Sequence, residues 1–380
     1  MKRIMRCTLA FFFIGWPVLA VAQLPDIIMV NSGGSAWGES SYCTNDGGGS
    51  FTCAENPDFG YSWHAAVGDL DSDGSPDLVF TRFNQSSPNL VCLNDGNWSF
   101  VCGAADSDLA FTSGVALADI DGDDHLDIVF ANVNTENRMC LNDGVGSFSC
   151  SDVNTDTNPT YGMAAADLDG TNGPDLVFVN HAGRNRICLN DGTGSFSCGD
   201  VSTDAYRGER VAIGDLDGIN GPDLVIAESY DGAFSCLNDG SGSFACGAIS
   251  PGGVSFGVAL ADLDGIDGLD IVFACGEDMR SRVCLNNGAA SFDCTDISQD
   301  TNQSTDVELA DIDGDGDVDA LLSKVESPNR ACLNDGTGSF ICSDISADEN
   351  RSRSLVVIPP WNFSDGFESG DTTAWSRTVP

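Results

Sequence analysis

The sequence predicts an all-β fold: a seven-bladed β-propeller with four-stranded blades, its ring closed by a C-terminal strand that joins the N-terminal blade. Three observations predict it. A unit of about 48 residues recurs through most of the chain. Each unit offers four short strand-like segments. A part-unit stands at each end, and the two parts complement one another. A period near this length suits one propeller blade.

The elements follow in chain order. Residues 1–22 read as an export signal: Lys2, Arg3 and Arg6 form a basic start, Leu9 to Val21 an apolar stretch, and Ala20-Val21-Ala22 a cleavage site that leaves Gln23 first. The apolar stretch is too short for a stable membrane anchor, and no second run of spanning length follows. The expected location is therefore secreted, extracellular or at the cell surface, with no transmembrane segment after cleavage, and a monomer is expected. The formal net charge of −42 becomes −45 once those three basic residues leave. Such a balance excludes nucleic acid as a partner, because phosphate binding needs a basic surface.

Residues 23–360 are assigned to the propeller. The text from Ala118 to Asp152, ADIDGDDHLDIVFANVNTENRMCLNDGVGSFSCSD, recurs from Gly68, Ala166, Gly214, Ala261 and Ala310. The first acid of each unit is Asp69, Asp119, Asp167, Asp215, Asp262 and Asp311, so the spacing runs from 47 to 50 residues. In the Ala118 unit the strands are expected at about 114–118 (A), 127–132 (B), 138–141 (C) and 147–151 (D), separated by Asp- and Gly-rich turns. Pro25-Asp26-Ile27-Ile28-Met29-Val30 matches Pro174 to Val179, so the chain enters its first blade at strand B. The missing strand A is expected at Ser354 to Ile358. Closure of this kind removes exposed sheet edges. Residues 361–380 do not continue the repeat and are read as a sorting signal or a disordered end.

The A–B loop of the first full unit reads Asp69-x-Asp71-x-Asp73-Gly74-x-x-Asp77, with carboxylates at positions 1, 3, 5 and 9. Four acids in so short a loop repel one another without a counter-ion. Calcium takes about six to eight oxygen ligands in a flexible shell, which suits carboxylates, carbonyls and water. Softer metals would ask for His or Cys. Asp119, Asp121, Asp123 and Asp127 repeat the full set, as do Asp311, Asp313, Asp315 and Asp319. Three loops keep positions 1, 3 and 9 only: Asp167, Asp169 and Asp175; Asp215, Asp217 and Asp223; Asp262, Asp264 and Asp270. Their fifth positions are Thr171, Ile219 and Ile266, followed by Asn172, Asn220 and Asp267 as substitute ligands. Three tighter and three weaker Ca2+ sites are expected. Pro359 and Pro360 stand where the closing blade would need its first acids, so no ion is expected there.

The loop starts like an EF-hand but closes with Asp at position 9, between strands. At these residues the chain resembles the FG-GAP and VCBS repeat families, best known from the propellers of integrin α subunits. The recurring LNDGxGSF text, as in Leu189 to Phe196, is similar to VCBS-type repeats. The resemblance covers roughly residues 25–358. It implies a calcium-binding propeller, and an adhesion role.

Fourteen cysteines form pairs ten apart: Cys43/Cys53, Cys92/Cys102, Cys140/Cys150, Cys188/Cys198, Cys236/Cys246, Cys284/Cys294 and Cys332/Cys342. A C–D hairpin centred on Val145 sets Cys140 opposite Cys150, close enough for a disulfide. An exported protein retains such bonds. Cys275 breaks the pattern and is expected as a free thiol.

Strand alternation puts the A–B and C–D turns on one face and the B–C and D–A loops on the other. The first face is nearly uniform; the second varies and gathers the basic and large aromatic residues. Arg82, Arg184, Arg280 and Lys324 are assigned to B–C loops, and Arg207, Arg210, Arg351 and Arg353 to D–A segments. Arg138, Arg186, Arg282 and Arg330 recur two places before a cysteine and read as structural. Variable loops on a rigid scaffold are where binding resides. The ligand-binding candidates are Trp37, Trp63, Arg82, Tyr161, Arg184, Tyr206, Arg207 and Tyr230, and the partner a glycan or a protein. No catalytic motif is visible around His64, His125 or His181. The alternatives are a polysaccharide hydrolase or lyase on a propeller scaffold, signalled by His, Tyr and Arg meeting at the ring centre, and a structural surface protein.

Overall fold

The computed structural model describes residues 24–32, 39–203, 207–230, 232–249, 253–276, 278–347 and 351–359. The expected export signal and the tail after residue 360 lie outside the described residues. Strands β1 (Asp26–Asn31), β2 (Ser41–Gly47) and β3 (Ser50–Glu55) come first. The six complete blades follow: β4 (Ala65–Gly68), β5 (Asp77–Phe80), β6 (Leu90–Asn94), β7 (Phe100–Ala104); β8 (Thr112–Ala118), β9 (Asp127–Asn132), β10 (Arg138–Asn142), β11 (Phe148–Asp152); β12 (Thr160–Ala166), β13 (Asp175–Asn180), β14 (Arg186–Asn190), β15 (Phe196–Asp200); β16 (Gly208–Gly214), β17 (Asp223–Glu228), β18 (Gly232–Asn238), β19 (Phe244–Ile249); β20 (Ser255–Ala261), β21 (Asp270–Cys275), β22 (Arg282–Asn286), β23 (Phe292–Asp296); β24 (Ser304–Ala310), β25 (Asp319–Lys324), β26 (Arg330–Asn334), β27 (Phe340–Asp344). β28 (Ser352–Ile358) then returns to pair with β1. Seven four-stranded antiparallel sheets result, the last ordered β28-β1-β2-β3. Each inner strand touches the next, from β4 through β8, β12, β16, β20 and β24 to β28 and back to β4. The fold is a seven-bladed β-propeller.

The expected strand B is found as drawn. Strand A begins earlier than expected, because a bulge at Ser113 adds residues ahead of Gly114. The same shift occurs in β12, β16, β20 and β24. Bulges bend a strand and re-aim its side chains.

Strand B of every blade is buried on both faces, which explains its continuous apolar run. The period of two still operates. On β1, Ile28 and Val30 pack with Leu78, Phe80 and Val356 toward one neighbouring blade. Ile27 and Met29 pack with Ile312, Leu321 and Leu355 toward the other. Full burial of such side chains contributes about 1.5–3 kcal/mol each. The ring is closed by this two-sided packing together with the Ile28–Val356 register of β1 on β28.

Each C–D hairpin sets its two cysteines in register, Cys140 opposite Cys150 on β10 and β11. The bonds observed are Cys43–Cys53, Cys92–Cys102, Cys140–Cys150, Cys188–Cys198, Cys236–Cys246, Cys284–Cys294 and Cys332–Cys342, each between residues ten apart. The two members of a pair differ in their surroundings. Cys43, Cys92, Cys140, Cys188, Cys236, Cys284 and Cys332, on strand C, are fully buried in the core. Their partners Cys53, Cys102, Cys150, Cys198, Cys246, Cys294 and Cys342 are only half-buried. The reason is position: strand D is the outermost strand of its blade, with no further strand to cover it. Each disulfide therefore pins the edge strand to the packed interior. Cys275 is the unpaired cysteine among the described residues, and it is buried. So many disulfides suit an extracellular protein. No helix among the described residues is long and apolar enough to cross a membrane.

Candidate functional site

The six Asp loops join strands A and B on one face. Position 9 is fully buried in each, at Asp77, Asp127, Asp175, Asp223, Asp270 and Asp319. Both of its oxygens are engaged. In the Asp127 loop, Oδ2 accepts from the Ile120 amide at 2.8 Å and Oδ1 from the Asn142 amide at 2.7 Å. The closing acid therefore ties its own loop to strand C. Position 1 folds the loop around itself: Asp119 accepts from the amides of Gly122, Asp123 and Asp124. Positions 4 and 6 have left-handed backbone, as at Gly122 (φ 78°) and Asp124 (φ 69°). Glycine, Asn and Asp tolerate that conformation, which is why they fill the sixth position.

The acids converge. Asp69, Asp71 and Asp77 present carboxylate oxygens within 4.8 Å of one another, as do Asp119, Asp121 and Asp127, Asp167, Asp169 and Asp175, and Asp215, Asp217 and Asp223. Asp71 Oδ1 and Asp121 Oδ1 are buried without a hydrogen-bond partner. Burial, opposed by the backbone amides, pushes Asp77, Asp127 and Asp319 up to about 7, and neighbouring acids add to the shift. In the three-acid loops Asp175, Asp223 and Asp270 rise to about 6. A hard cation would relieve this repulsion and supply the missing partner to the position-3 oxygens. The donor set is oxygen only, which fits such an ion. In the three-acid loops Asn172, Asn220 and Asp267 stand close to Gly192, Gly240 and Gly288 of the C–D turns, where an added Cβ would lie 3.4, 3.4 and 3.2 Å from theirs. In the closing blade Asp26 accepts from the Asn45 amide at 2.7 Å and from the Tyr42 hydroxyl, which stands in for the absent loop.

The LNDG motif has a second role besides turning the hairpin. The Asn142 amide group donates to Leu70 O of the preceding blade and to Leu126 O of its own. Asn190, Asn238, Asn286 and Asn334 repeat the arrangement, and Asn45 reaches Ile312 O. Each Asn thus clasps two Asp loops, except Asn45, which joins the Asp311 loop to Pro25 O of its own blade. The repeated text carried this signal, but the partner blade is not visible in it.

On the opposite face the binding candidates separate. Trp37 and Tyr206 lie outside the described residues. Trp63 is held on two sides, stacked on Phe83 at 4.2 Å and covered by the Arg353 guanidinium at 4.5 Å. Arg82 is buried and donates to Tyr61 O and Ser62 Oγ. Arg184 pairs with Asp200 at 2.7 Å. Arg207 lies over the exposed Tyr230 ring at 4.5 Å. Tyr161 stacks on His181, whose Nδ1 is 3.0 Å from Glu209 Oε1. Lys324 is not in a B–C loop: it ends β25, buried, with Nζ 3.3 Å from Asp300. Arg210 and Arg353 likewise lie in inner strands β16 and β28, because the bulge extends those strands. Arg138 bridges Asp106 and Asp152, a structural tie repeated by Arg186 between Asp156 and Asp200.

One group escaped the sequence reading. Strand registers make His64, Gly114, Gly162, Arg210, Gly257, Asp306 and Ser354 equivalent, each four residues before its inner strand ends. At two of the glycines the next blade is close: a Cβ on Gly162 would lie 2.6 Å from Glu209 O, and one on Gly257 2.8 Å from Asp306 Cα. Two residues on, five blades have Ala, the closing blade has Val356 and the remaining one has Glu308. Aligning the units by column would have exposed these polar exceptions. His64 Nε2 lies 4.0 Å from Asp306 Oδ2. This is no ion pair, because burial and the Arg210 charge depress His64 to about 3 and keep it neutral. Burial also raises Asp306 and, with the Asp306 charge added, holds Glu308 well above the usual range.

Residues 69–130 and 119–178 match the FG-GAP-like repeat family. No curated protein matches the chain. Among solved structures it is similar to a putative 6-phosphogluconolactonase from Bacteroides fragilis (TM-score 0.62, 8% identity, 88% of this chain and 98% of that one). It is also similar to Sqt1 from Saccharomyces cerevisiae (TM-score 0.53, 12% identity, 87% and 88%). A rhamnogalacturonan lyase from Bacillus licheniformis follows (TM-score 0.47, 14% identity, 84% and 71%). At these identities the likeness concerns the fold alone.

Proposed function

Because the chain is a seven-bladed propeller of FG-GAP-like repeats, we propose that it is an exported binding module, stabilised by calcium, that engages a glycan or protein on the face opposite its Asp loops. One observation carries the reading: the two faces differ in kind. The Asp-loop face repeats the same carboxylate geometry from blade to blade, as a scaffold would. The other face differs in every blade and presents Arg207 over an exposed Tyr230, a pairing of cation and aromatic surface suited to recognition. A glycan array probed with the purified protein in calcium tests this. Selective binding that weakens in Arg207→Ala or Tyr230→Ala supports it; no binding to any glycan removes the carbohydrate partner.

A second reading, a polysaccharide hydrolase or lyase, draws on His64, Asp306 and Glu308 meeting in the channel beside Arg210. Release of reducing ends from a polysaccharide panel would favour it. Absence of release after prolonged incubation would remove it for that panel.

A further inference from the structure

His64, Arg210 and Asp306 come from three different blades and meet at one level of the axial channel, near the end that faces the variable loops. The fold does not need polar groups there, since Gly114, Gly162 and Gly257 fill the same position in other blades. Each of the three carries a hydrogen-bonding atom without a partner: His64 Nδ1, Arg210 Nε and Asp306 Oδ2. The Asp306 side chain is only 8% exposed. An unbonded buried carboxylate oxygen costs stability, and calls for an explanation beyond packing.

The chemistry of these atoms narrows the ligand. Arg210 and Arg353 face Asp306, Glu308 and Glu209 at this level, so charges of both signs meet here and neither is in large excess, although the whole chain carries −42. A strongly charged ligand finds no surplus to meet it. Arg210 Nε donates, Asp306 Oδ2 accepts, and His64 Nδ1 serves either way by tautomer. Neighbouring hydroxyl groups on one ring offer that mixture of donors and acceptors. The seven inner strands wall the site laterally, so a ligand enters along the axis, end first. We propose that this end of the channel binds the terminal sugar residue of a glycan, whose adjacent hydroxyl groups pair with Asp306, Arg210 and His64. The inference rests on the reading that this face binds a glycan, and locates the site within it.

The test is isothermal titration calorimetry of the full protein in calcium, with the methyl glycosides of glucose, galactose, mannose, fucose and N-acetylglucosamine. At least one is expected to bind. Asp306→Asn and Arg210→Gln should each weaken it by about tenfold or more. Val145→Ser, on the opposite face, should leave it unchanged. Asp306→Asn should not lower the melting temperature, because it removes a buried charge beside Glu308; a purely structural Asp306 would lower it. Should that variant fail to fold, Arg210→Gln carries the test alone. Binding that survives both substitutions but falls with Tyr230→Ala overturns the channel site and leaves the glycan reading standing. Failure of all five glycosides overturns the channel site as well, while the glycan array decides the broader reading separately.

Discussion

Asn142 Nδ2 donates to Leu70 O at 2.8 Å, across 72 residues and from one blade into the Asp loop of the blade before it. The Leu70 amide in turn donates to Asp77 Oδ2 at 2.7 Å. The second residue of each loop is thus tied twice, to its own closing acid and to the next blade. A cation held in one loop would stiffen an element that its neighbour depends on.

Asn142→Ala is expected to lower the unfolding free energy by about 1–3 kcal/mol, because it strands the buried Leu70 carbonyl and removes a partner from the part-buried Leu126 carbonyl. Chemical denaturation measures it. The exposed Asn97, treated the same way, should change little.

Calcium is expected to raise the melting temperature and chelator to lower it, since an ion bound only by the folded state stabilises by mass action. A site filled at a hundred times its dissociation constant contributes about 2.7 kcal/mol. Thr171→Asp should act in opposite directions, destabilising in chelator by added repulsion and stabilising in calcium by an added ligand. Melting curves with and without calcium read both signs; an unchanged melt in chelator would remove calcium from the account.

The disulfides close hairpins that are already paired, so each contributes modestly. The double substitution Cys140→Ser with Cys150→Ser should cost at most about 2–3 kcal/mol. Mass spectrometry of unreduced peptides should return only pairs ten apart, with Cys275 as a thiol.

His64 predicts a pH dependence. Its folded value, about 3, lies below the ordinary 6.5. Between these values the unfolded chain takes up a proton at this residue that the folded one refuses, so the His64 contribution to stability falls as pH drops below about 6.5, against the buried Asp residues whose raised values act in the opposite sense. His64→Gln should flatten that slope by up to about 1.4 kcal/mol per pH unit. Denaturation of both proteins at pH 4 to 8 in saturating calcium checks this; identical slopes would mean that His64 is protonated in the fold.

Blade number, strand order, disulfide pairing and the Asp loops were all legible in the sequence. Each is local, contained in one unit of about 48 residues and written several times over, so that repetition separates signal from accident. Even the closing strand was legible, because Pro25 to Val30 repeats a strand B that lacks its strand A. What only the tertiary structure decided lies between blades. Asn142 reads as a turn residue until the ring brings Leu70 beside it. Trp63 reads as an open aromatic until Arg353, from the far end of the chain, covers it. His64, Arg210 and Asp306 share a site only because seven inner strands meet on one axis, and a repeat unit contains no information about which units face each other across it.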